Sequence, residues 1–352
     1  MPRVLATRVH GKGTASSAQL DFTERLLKFG DGRFATVELW QIDGPERRLV
    51  ALKRVHGNTP TNGTTSDSDG APADCPTQSQ LFGEIDVLKK VHHQNCVTLL
   101  YYYWITPGTP ADGYNLILDY LPKEIGKILK ASRNGFGLQN TKILSWQLFN
   151  ALAYLSSMHI IHLDIKPANL IFDETTMQLK IADFGNARII NYDVPHISYQ
   201  VTRYYRPPEL LFGSRRFTCG IDVWSAGCVM AEMATGKVLF RATSTKLQAN
   251  LLVAVLGYPS EDDLKTMNVG RPRVRKGNKL GLLKHLPQLP KDMVPLLERI
   301  LVYSLKQRIP AHKILSHPFF SDLKGLKRPD DSAPDFGFDI EEQATQYDED
   351  MP

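Results

Sequence analysis

Residues 160–188 read IIHLDIKPANLIFDETTMQLKIADFGNAR. This stretch holds Asp164, Lys166 and Asn169 within six residues, and Asp183 starts a second cluster, Asp-Phe-Gly. Apolar pairs flank the first cluster, and we expect them to be buried and to hold a polar loop in place. Loops that present carboxylates at strand ends suit hard cations and phosphate oxygens. The stretch therefore indicates phosphate chemistry at a magnesium site.

Phosphoryl transfer needs a group that orients the attacking hydroxyl, a cation for the γ-phosphate and ligands for magnesium. Asp164, Lys166 and the Asn169/Asp183 pair can supply these in that order. A lone aspartate in such a loop usually caps a turn or a helix instead. The ordered spacing of the whole set favours catalysis, because it matches the signature set of protein kinases.

From about residue 22 to 322 the sequence resembles a eukaryotic protein kinase, and within that family the glycogen synthase kinase-3 branch. The closer resemblance lies in Ser198-Tyr199, in RYYRPPEL (203–210) and in IDVWSAGC (221–228). It implies an α+β, bilobal kinase fold with a small β-rich N-lobe, which has one main helix, and a larger helical C-lobe. It also implies ATP and Mg²⁺ as cofactors and serine or threonine residues of protein substrates as acceptors.

The resemblance and the composition divide the chain into four parts. These are a flexible N-terminal segment (1–21), an N-lobe (22–119), a C-lobe (120–322) and an acidic C-terminal tail (323–352). Residues 57–78 are rich in Gly, Pro, Ser, Thr and Asp, so we expect a disordered insertion. Residues 267–288 are a basic lower-lobe insertion, which we expect to be a solvated surface loop. This region helps to bind scaffold helices in the family, and its divergent sequence here puts such binding in doubt.

The N-lobe offers a candidate phosphate-binding turn and a candidate phosphate-binding lysine. Gly30 and Gly32 lie in GDGRFATV, where backbone N–H groups can approach phosphates closely, although such a pair alone more often marks an ordinary turn. Lys53 ends a predicted strand and is placed to reach the α/β-phosphates, with Glu84 on a helix predicted at 82–91 as its partner. A solvated lysine is the alternative, and Glu84 favours the pair.

The resemblance places the kinase hinge after a strand predicted at 114–120. Backbone groups of Asp119 and Leu121 would then hydrogen-bond adenine, and Leu118 would be the gatekeeper. The apolar walls of the adenine slot would include Val37, Ala51 and Ile171.

The resemblance also implies a regulatory anion site. Tyr199 lies four residues before Arg203 and seven before Arg206. A phosphotyrosine, with a charge of about −1.5 to −2, is a natural partner for two arginines. A buried tyrosine hydroxyl bonded to backbone is the alternative. Thr202 matches the position that bridges the catalytic Asp and Lys.

Two buried carboxylates are expected to be structural. The helix predicted at 219–233 is apolar nearly all round, which is typical of a core helix, so Asp222 must have partners there. The resemblance implies that Asp222 holds the backbone of the catalytic loop and that Glu209 pairs with Arg308.

One position departs from the family pattern, since His162-Leu163-Asp164 stands where the family has His-Arg-Asp. In this branch that Arg is one of three basic side chains that dock a phosphate of a primed substrate. The other two positions are Gly83 and Arg188, so two of the three cations are absent. We therefore expect substrate choice to depend little on a priming phosphate.

Charge and cysteine content restrict the remaining classes. The 352 residues carry 42 basic and 37 acidic side chains, but residues 329–352 hold nine of the acidic ones and no Lys or Arg. The preceding 328 residues therefore have 42 basic and 28 acidic side chains, a net charge of +14. This charge suits ATP and acidic substrates, while no base-reading motif indicates specific nucleic-acid binding. The four cysteines lie far apart, which argues against zinc and against a disulfide scaffold.

No apolar run reaches the roughly 18 residues of a membrane span, and residues 1–20 lack the apolar centre of a signal peptide. Pro2 excludes N-myristoylation. We expect a soluble monomer in the cytoplasm, with the nucleus as an alternative, and no membrane partner.

Two other functions stay open. One is a non-catalytic scaffold with a kinase fold, although such scaffolds usually lack an ATP, magnesium or base residue and none is lacking here. The other is an active kinase of the cyclin-dependent or mitogen-activated groups. Ile197 precedes Tyr199 by two residues, where the mitogen-activated group has Thr, and argues against that group.

Overall fold

The structure is a computed structural model that describes residues 3–9, 15–31, 35–43, 47–56, 78–106, 109–132, 134–190, 202–216, 218–324 and 326. The chain divides into two compact units, residues 1–121 with 184–186 and residues 122–183 with 187–352. The first unit is rich in strands with one main helix, and the second is mainly helical. This division agrees with the predicted α+β kinase fold.

The first unit is a closed antiparallel barrel. Its strands are β1 (Arg3–Val9), β2 (Ala15–Asp31), β3 (Ala35–Asp43), β4 (Arg48–His56), β5 (Leu99–Thr106) and β6 (Thr109–Leu118), and its helix is α1 (Gln78–Leu88). The strand order is β1-β2-β3-β4-β6-β5, and β1 also pairs with β5. Apolar side chains from these strands form one core, in which Phe22 packs edge-on against Trp40 at a ring distance of 5.4 Å.

The prediction of a flexible segment over residues 1–21 is wrong for residues 3–9 and 15–21. These residues form paired strands, and Thr7 lies opposite Tyr102 of β5. Ala6 and Leu20 are buried in the barrel core. Their strand signal is weak locally, because the strand that completes the pairing lies far along the chain. Residues 1–2 and 10–14 lie outside the described residues.

The second unit contains short strands and a helical core. Its strands are β7 (Lys123–Glu124), β8 (Ile160–Ile161), β9 (Leu170–Asp173), β10 (Gln178–Ile181) and β11 (Arg188–Ile189). Its helices are α2 (Ile125–Ala131), α3 (Leu138–Ser157), α4 (Pro208–Leu211), α5 (Gly220–Thr235), α6 (Thr245–Leu256), α7 (Glu261–Thr266), α8 (Leu282–His285), α9 (Val294–Ile300) and α10 (Ala311–Leu315). Strand β9 pairs with β7 and β10, and β8 pairs with β11.

Helix α5 lies in the core, as its nearly continuous apolar sequence predicts. It packs against α3 and α9, and almost all of its side chains are buried. Gly227 permits the close approach of α9, because a Cβ atom at this position would lie only 2.6 Å from Ile300 Cγ2. The packed helices thereby form the core that supports the loops with the polar clusters.

The predicted insertions are described only in part. Residues 57–77 and 327–352 lie outside the described residues, and Gln78 already belongs to α1. Within 267–288, residues 275–280 are exposed as expected of a surface loop. The expectation of a loop throughout is wrong, however, because α8 forms here with Leu282 and Leu286 buried. Among the described residues, no helix is long and apolar enough to cross a membrane.

Candidate active site

His162 begins a loop between β8 and the 3₁₀ turn Pro167–Asn169. Its Nδ1 accepts a hydrogen bond from the Asp164 N–H at 3.3 Å, and its Nε2 lies 3.0 Å from the carbonyl oxygen of Ala182. The proton therefore resides on Nε2, which donates to that carbonyl. Burial lowers the pKa of His162 and favours this neutral ring. The ring thus joins the loop to the end of β10.

Asp164 stands at the centre of a compact polar group. Its Oδ2 accepts hydrogen bonds from Lys166 Nζ at 2.6 Å and from Asn169 Nδ2 at 3.0 Å. Its Oδ1 accepts one from Thr202 Oγ1 at 3.0 Å, and Thr202 Oγ1 in turn lies 3.3 Å from Lys166 Nζ. The structure therefore brings the predicted catalytic residues Asp164 and Lys166 together with the predicted metal ligand Asn169, and the predicted bridge by Thr202 is confirmed.

Asn169 and Asp183 have the donor atoms that Mg²⁺ prefers. Both side-chain hydrogen bonds of Asn169 use its amide nitrogen, so its amide oxygen is left for a cation. Asp183 is exposed and has a left-handed φ of +60°, and the Ala182 N–H just before it bonds to Asn169 O at 2.8 Å. Mg²⁺ commonly takes one or two protein oxygens and completes its shell with water and phosphate. Within the described part of the chain, no three His, Cys, Asp or Glu residues lie together as a group that could hold a metal ion.

The predicted pair of Lys53 and Glu84 is present in the first unit. Lys53 Nζ lies 2.6 Å from Glu84 Oε1, and both residues are buried. The other carboxylate oxygen, Oε2, accepts a hydrogen bond from the Tyr114 hydroxyl at 3.2 Å. The ion pair is thus held by a third side chain and presents the lysine from β4.

The strand register brings several predicted nucleotide-binding residues side by side. Val37 lies opposite Lys53 across β3 and β4, and Ala51 lies opposite Leu118 across β4 and β6. Leu118 is buried, whereas Val37 and Ala51 are half-buried. Ile171 is half-buried on β9 of the second unit.

The predicted hinge and glycine-rich turn are described in part. The Asp119 N–H donates to Thr98 O at 3.1 Å, so an adenine contact of Asp119 would use its carbonyl. Leu121 is half-buried at the end of the first unit. Gly30 lies on β2 opposite Val37, whereas Gly32 lies outside the described residues.

Asp222 holds the backbone of the catalytic loop, as predicted. Its Oδ2 accepts the N–H of His162 at 2.6 Å and its Oδ1 accepts that of Leu163 at 3.0 Å. Burial raises the pKa of Asp222 to about 7, and these two N–H groups oppose that shift. Both carboxylate oxygens are therefore committed to the loop.

Leu163 has an unusual backbone for its residue type. Its φ is +68°, a left-handed conformation that costs a leucine roughly 1–2 kcal/mol. Its side chain is only 2% exposed and packs with Ile161, Ile190 and Ile221. Full burial of a leucine contributes about 1.5–3 kcal/mol, so this packing offsets the backbone cost.

The arginines predicted to be regulatory bond to different parts of the chain. Arg203 Nη1 donates to Thr243 O at 2.7 Å, and Arg188 Nη1 donates to Ala187 O at 2.6 Å. Burial lowers the pKa of Arg206, and the nearby charge of Arg203 lowers it further. Two guanidinium groups therefore lie near each other. Tyr199 lies outside the described residues.

The structural tie between Glu209 and Arg308 is confirmed. Arg308 Nη1 and Nη2 donate to the two carboxylate oxygens at 2.7 and 2.9 Å, and both residues are buried. This bidentate pair links α4 to the segment that follows α9.

Comparison with known protein families agrees with this geometry. A family model described as protein kinase domain matches residues 23–320. The chain belongs to the protein kinase family. Members of this family generally use ATP and Mg²⁺.

Curated relatives place this kinase more closely. It is 36% identical to the Caenorhabditis elegans protein gskl-1 over 90% of this chain and 83% of the relative. It is 35% identical to glycogen synthase kinase 1 of Pyricularia oryzae, covering 94% of this chain and 80% of the relative. It is also 35% identical to protein kinase gsk3 of Schizosaccharomyces pombe, covering 68% and 64%. The chain is a serine/threonine protein kinase that resembles glycogen synthase kinase-3.

Two features of this kinase were missed in the sequence. Tyr114 supports the lysine–glutamate pair, and only its position in a strand next to β4 could have suggested it. The burial of Leu163 was also missed, although the apolar residues at 160–161 and at 189–190 were visible in the sequence.

Proposed function

We propose that this kinase transfers the γ-phosphoryl group of ATP with Asp164 as the residue that orients the substrate hydroxyl and accepts its proton. The observation that carries this role is the set of three side chains that fix the Asp164 carboxylate: Lys166, Asn169 and Thr202. A base fixed in this way can hold a hydroxyl in line with the phosphate, which is the main contribution that proteins make to phosphoryl transfer.

The other residues bind and neutralise phosphate charge. Lys166 neutralises the γ-phosphate, and Lys53, which is set by Glu84, binds the α/β-phosphates. Asn169 and Asp183 hold Mg²⁺ through side-chain oxygens. When bound, Mg²⁺ neutralises negative charge on the phosphate oxygens.

The first test measures phosphate transfer from Mg-ATP to a degenerate peptide library. Asp183→Ala should abolish transfer because it removes a metal ligand, and Asp164→Asn should reduce it strongly because it removes the base. Asp262→Asn is the matched control, since Asp262 is highly exposed on α7, where it pairs with Lys265 at 3.4 Å. It should keep wild-type activity.

The rival function is a kinase-fold scaffold without catalysis. Folded wild-type protein, phosphorylated at Tyr199, that transfers phosphate to no library peptide would establish the scaffold and overturn the proposal. Phosphate transfer to library peptides that persists in the Asp183→Ala variant would overturn the role of Asp183 as a metal ligand.

The proposed substrate selection depends little on a priming phosphate. Of the three matching positions, Gly83 has no side chain, Leu163 is buried among apolar residues and Arg188 alone is basic. Each charge-assisted hydrogen bond to phosphate contributes on the order of 1.5–3 kcal/mol before screening. With solvent screening, the loss of two cations weakens binding by roughly 1.5–3 kcal/mol, about ten- to a hundredfold.

The test compares one peptide with and without phosphoserine four residues C-terminal to the target serine. A preference above about a hundredfold for the phosphorylated form would contradict the proposal. Gly83→Arg should increase any preference for the phosphorylated peptide, because it restores one of the two missing cations. It does not change the apolar cluster around Leu163. Gly83→Gln is its uncharged control.

The Arg203 and Arg206 guanidinium groups support a proposed role for phosphotyrosine at position 199. Burial lowers the pKa of Arg206, the charge of Arg203 lowers it further, and two such cations favour an anionic partner. Mass spectrometry of the expressed protein should find phosphate on Tyr199, and the proposed source of this phosphate is the kinase itself. Fully active enzyme with unmodified Tyr199 would exclude this regulatory role.

Location and assembly also belong to this proposal. We propose a monomer in the cytoplasm, with the nucleus as a second location. Fluorescence microscopy of a tagged chain and sedimentation of the purified protein test these two points.

A further inference from the structure

Leu163 is held at two points by neighbouring residues at the start of α5. Ile221 packs against its side chain in an apolar cluster. Asp222 Oδ1 accepts its N–H at 3.0 Å. One helix end therefore restrains both the side chain and the backbone of the residue directly before Asp164.

The apolar cluster joins three separate parts of the second unit. Its buried members are Ile161, Leu163, Ile190 and Ile221, and the partly buried Leu210 and Cys219 pack against it. Ile161 ends β8 and pairs with Arg188 of β11, while the Ile190 N–H donates to His159 O at 2.8 Å. The cluster thus connects the catalytic loop, the segment after β11 and helix α5.

The members of this cluster are aliphatic side chains and one cysteine thiol. A cation at position 163 would have to be buried among them, and a buried charge is strongly unfavourable unless it is paired and hydrogen-bonded. Leucine fills the same space without such a requirement. Its contacts depend only on the packing of neighbours that the fold already holds in place.

We propose that Leu163 is a positioning residue: its burial with Ile161, Ile190 and Ile221 holds the left-handed turn from which Asp164 presents its carboxylate. This hold uses groups of the protein alone and needs no bound phosphate. The role assigned to Asp164 comes from the proposed function, whereas the conformational part of the inference stands apart from it.

The kinetic test uses Leu163→Ala and Leu163→Met. Small displacements of a catalytic group can lower the rate on the order of a hundredfold, so Leu163→Ala should lower kcat about ten- to a hundredfold with little change in KM for ATP. Leu163→Met conserves volume and should stay within about threefold of wild type. Leu152→Ala, at a buried position of α3 outside the cluster, controls for general loss of packing.

A third substitution separates backbone strain from packing. Leu163→Gly relieves the cost of the positive φ but cannot fill the cluster. It should behave like Leu163→Ala. Wild-type kcat in Leu163→Gly, or an equal fall of kcat in Leu152→Ala at a temperature where both variants are folded, would overturn the proposal.

Amide hydrogen exchange provides a readout that does not require activity. The amides of His162 and Leu163 bond to Asp222, and they should exchange faster in Leu163→Ala while amides within α5 keep their protection. The Leu152→Ala variant should not show this local change. Unchanged protection in Leu163→Ala would overturn the inference, and a wild-type protein without kinase activity would leave this test intact while it rejects the proposed function.

Discussion

Thr202 links Asp164, the proposed base for the substrate hydroxyl, to Lys166, the proposed partner of the γ-phosphate. Its hydroxyl donates to Asp164 Oδ1 at 3.0 Å and lies 3.3 Å from Lys166 Nζ. A hydroxyl that donates to the Asp164 carboxylate and accepts from the Lys166 ammonium group keeps these two side chains in a fixed relative position. The residue touches neither phosphate nor hydroxyl in this role, so its effect must appear in the chemical step.

Substitution of Thr202 tests this role. Thr202→Val keeps the shape but removes the hydroxyl, and we expect kcat to fall about tenfold, equivalent to about 1.4 kcal/mol. Thr202→Ser keeps the hydroxyl and should retain most activity. Steady-state kinetics with a library-derived peptide measures both. Equal losses in the two variants would indicate packing instead of hydrogen bonding.

Asp222 gives the protein a testable dependence of stability on pH. Its pKa is raised by burial to about 7, above its ordinary value of 3.8, and the charge of Asp164 contributes in the same direction. The folded state therefore holds a proton between about pH 4 and 7 that the unfolded state has lost. The stabilising contribution is present at low pH and is lost as pH rises through 7.

Asp222→Asn removes this titration. We expect the free energy of unfolding of the wild type, minus that of Asp222→Asn, to increase as pH falls from 8 to 5. Urea unfolding of both proteins at several pH values measures it, and His162 largely cancels in the difference because both proteins contain it. A pH-independent difference would show that Asp222 does not titrate in this range.

At the scale of elements, β1 is the least expected part of the fold. Its side chains alternate, so that Ala6 is buried in the barrel core while Leu5 is 74% exposed. A flexible N-terminal segment would tolerate a charge equally at both positions. A strand would not, because one of the two side chains faces the core.

We expect Ala6→Asp to reduce the stability of the first unit by about 2–4 kcal/mol, because it buries an unpaired charge. Leu5→Asp should change it by no more than about 0.5 kcal/mol. Urea unfolding followed by the fluorescence of Trp40, which belongs to the same core cluster, compares the two variants. Equal losses of stability in the two variants would contradict the placement of Ala6 in the barrel core and of Leu5 outside it.

The grouping of Asp164, Lys166 and Asn169 could be predicted because its information is local. Asp164, Lys166 and Asn169 lie within six residues, on a short segment that is bounded by apolar pairs. The N-terminal strands could not be predicted in this way, since the closure of the barrel depends on the pairing of Thr7 with the distant residue Tyr102. The cluster around Leu163 likewise depends on Ile221, which a distant helix supplies.

At the scale of the whole molecule, charge is distributed unequally along the chain. Residues 329–352 carry nine acidic side chains and no Lys or Arg, against a charge of +14 for the rest. A positive charge attracts acidic substrates over about 8–10 Å at physiological salt. The acidic tail opposes that attraction through its own charge.

A chain that ends at Arg328 should therefore bind acidic peptides better. We expect its KM for an acidic peptide to be several-fold lower than that of the full chain, and to rise more steeply with ionic strength. An uncharged peptide with the same target serine is the control and should show little change. Equal KM values for both chains with the acidic peptide would contradict this electrostatic role.

The closure of the barrel by β1 has a consequence for solution behaviour. The described strands β1–β6 each have a neighbour on both sides, since β1 pairs with β2 and β5. Unpaired strand edges are the surfaces on which β-rich chains recruit copies of themselves into amyloid-like aggregates. Removal of β1 would leave one side of β2 and one side of β5 open, so chains shortened at the N-terminus should self-associate at concentrations at which the intact chain stays dispersed.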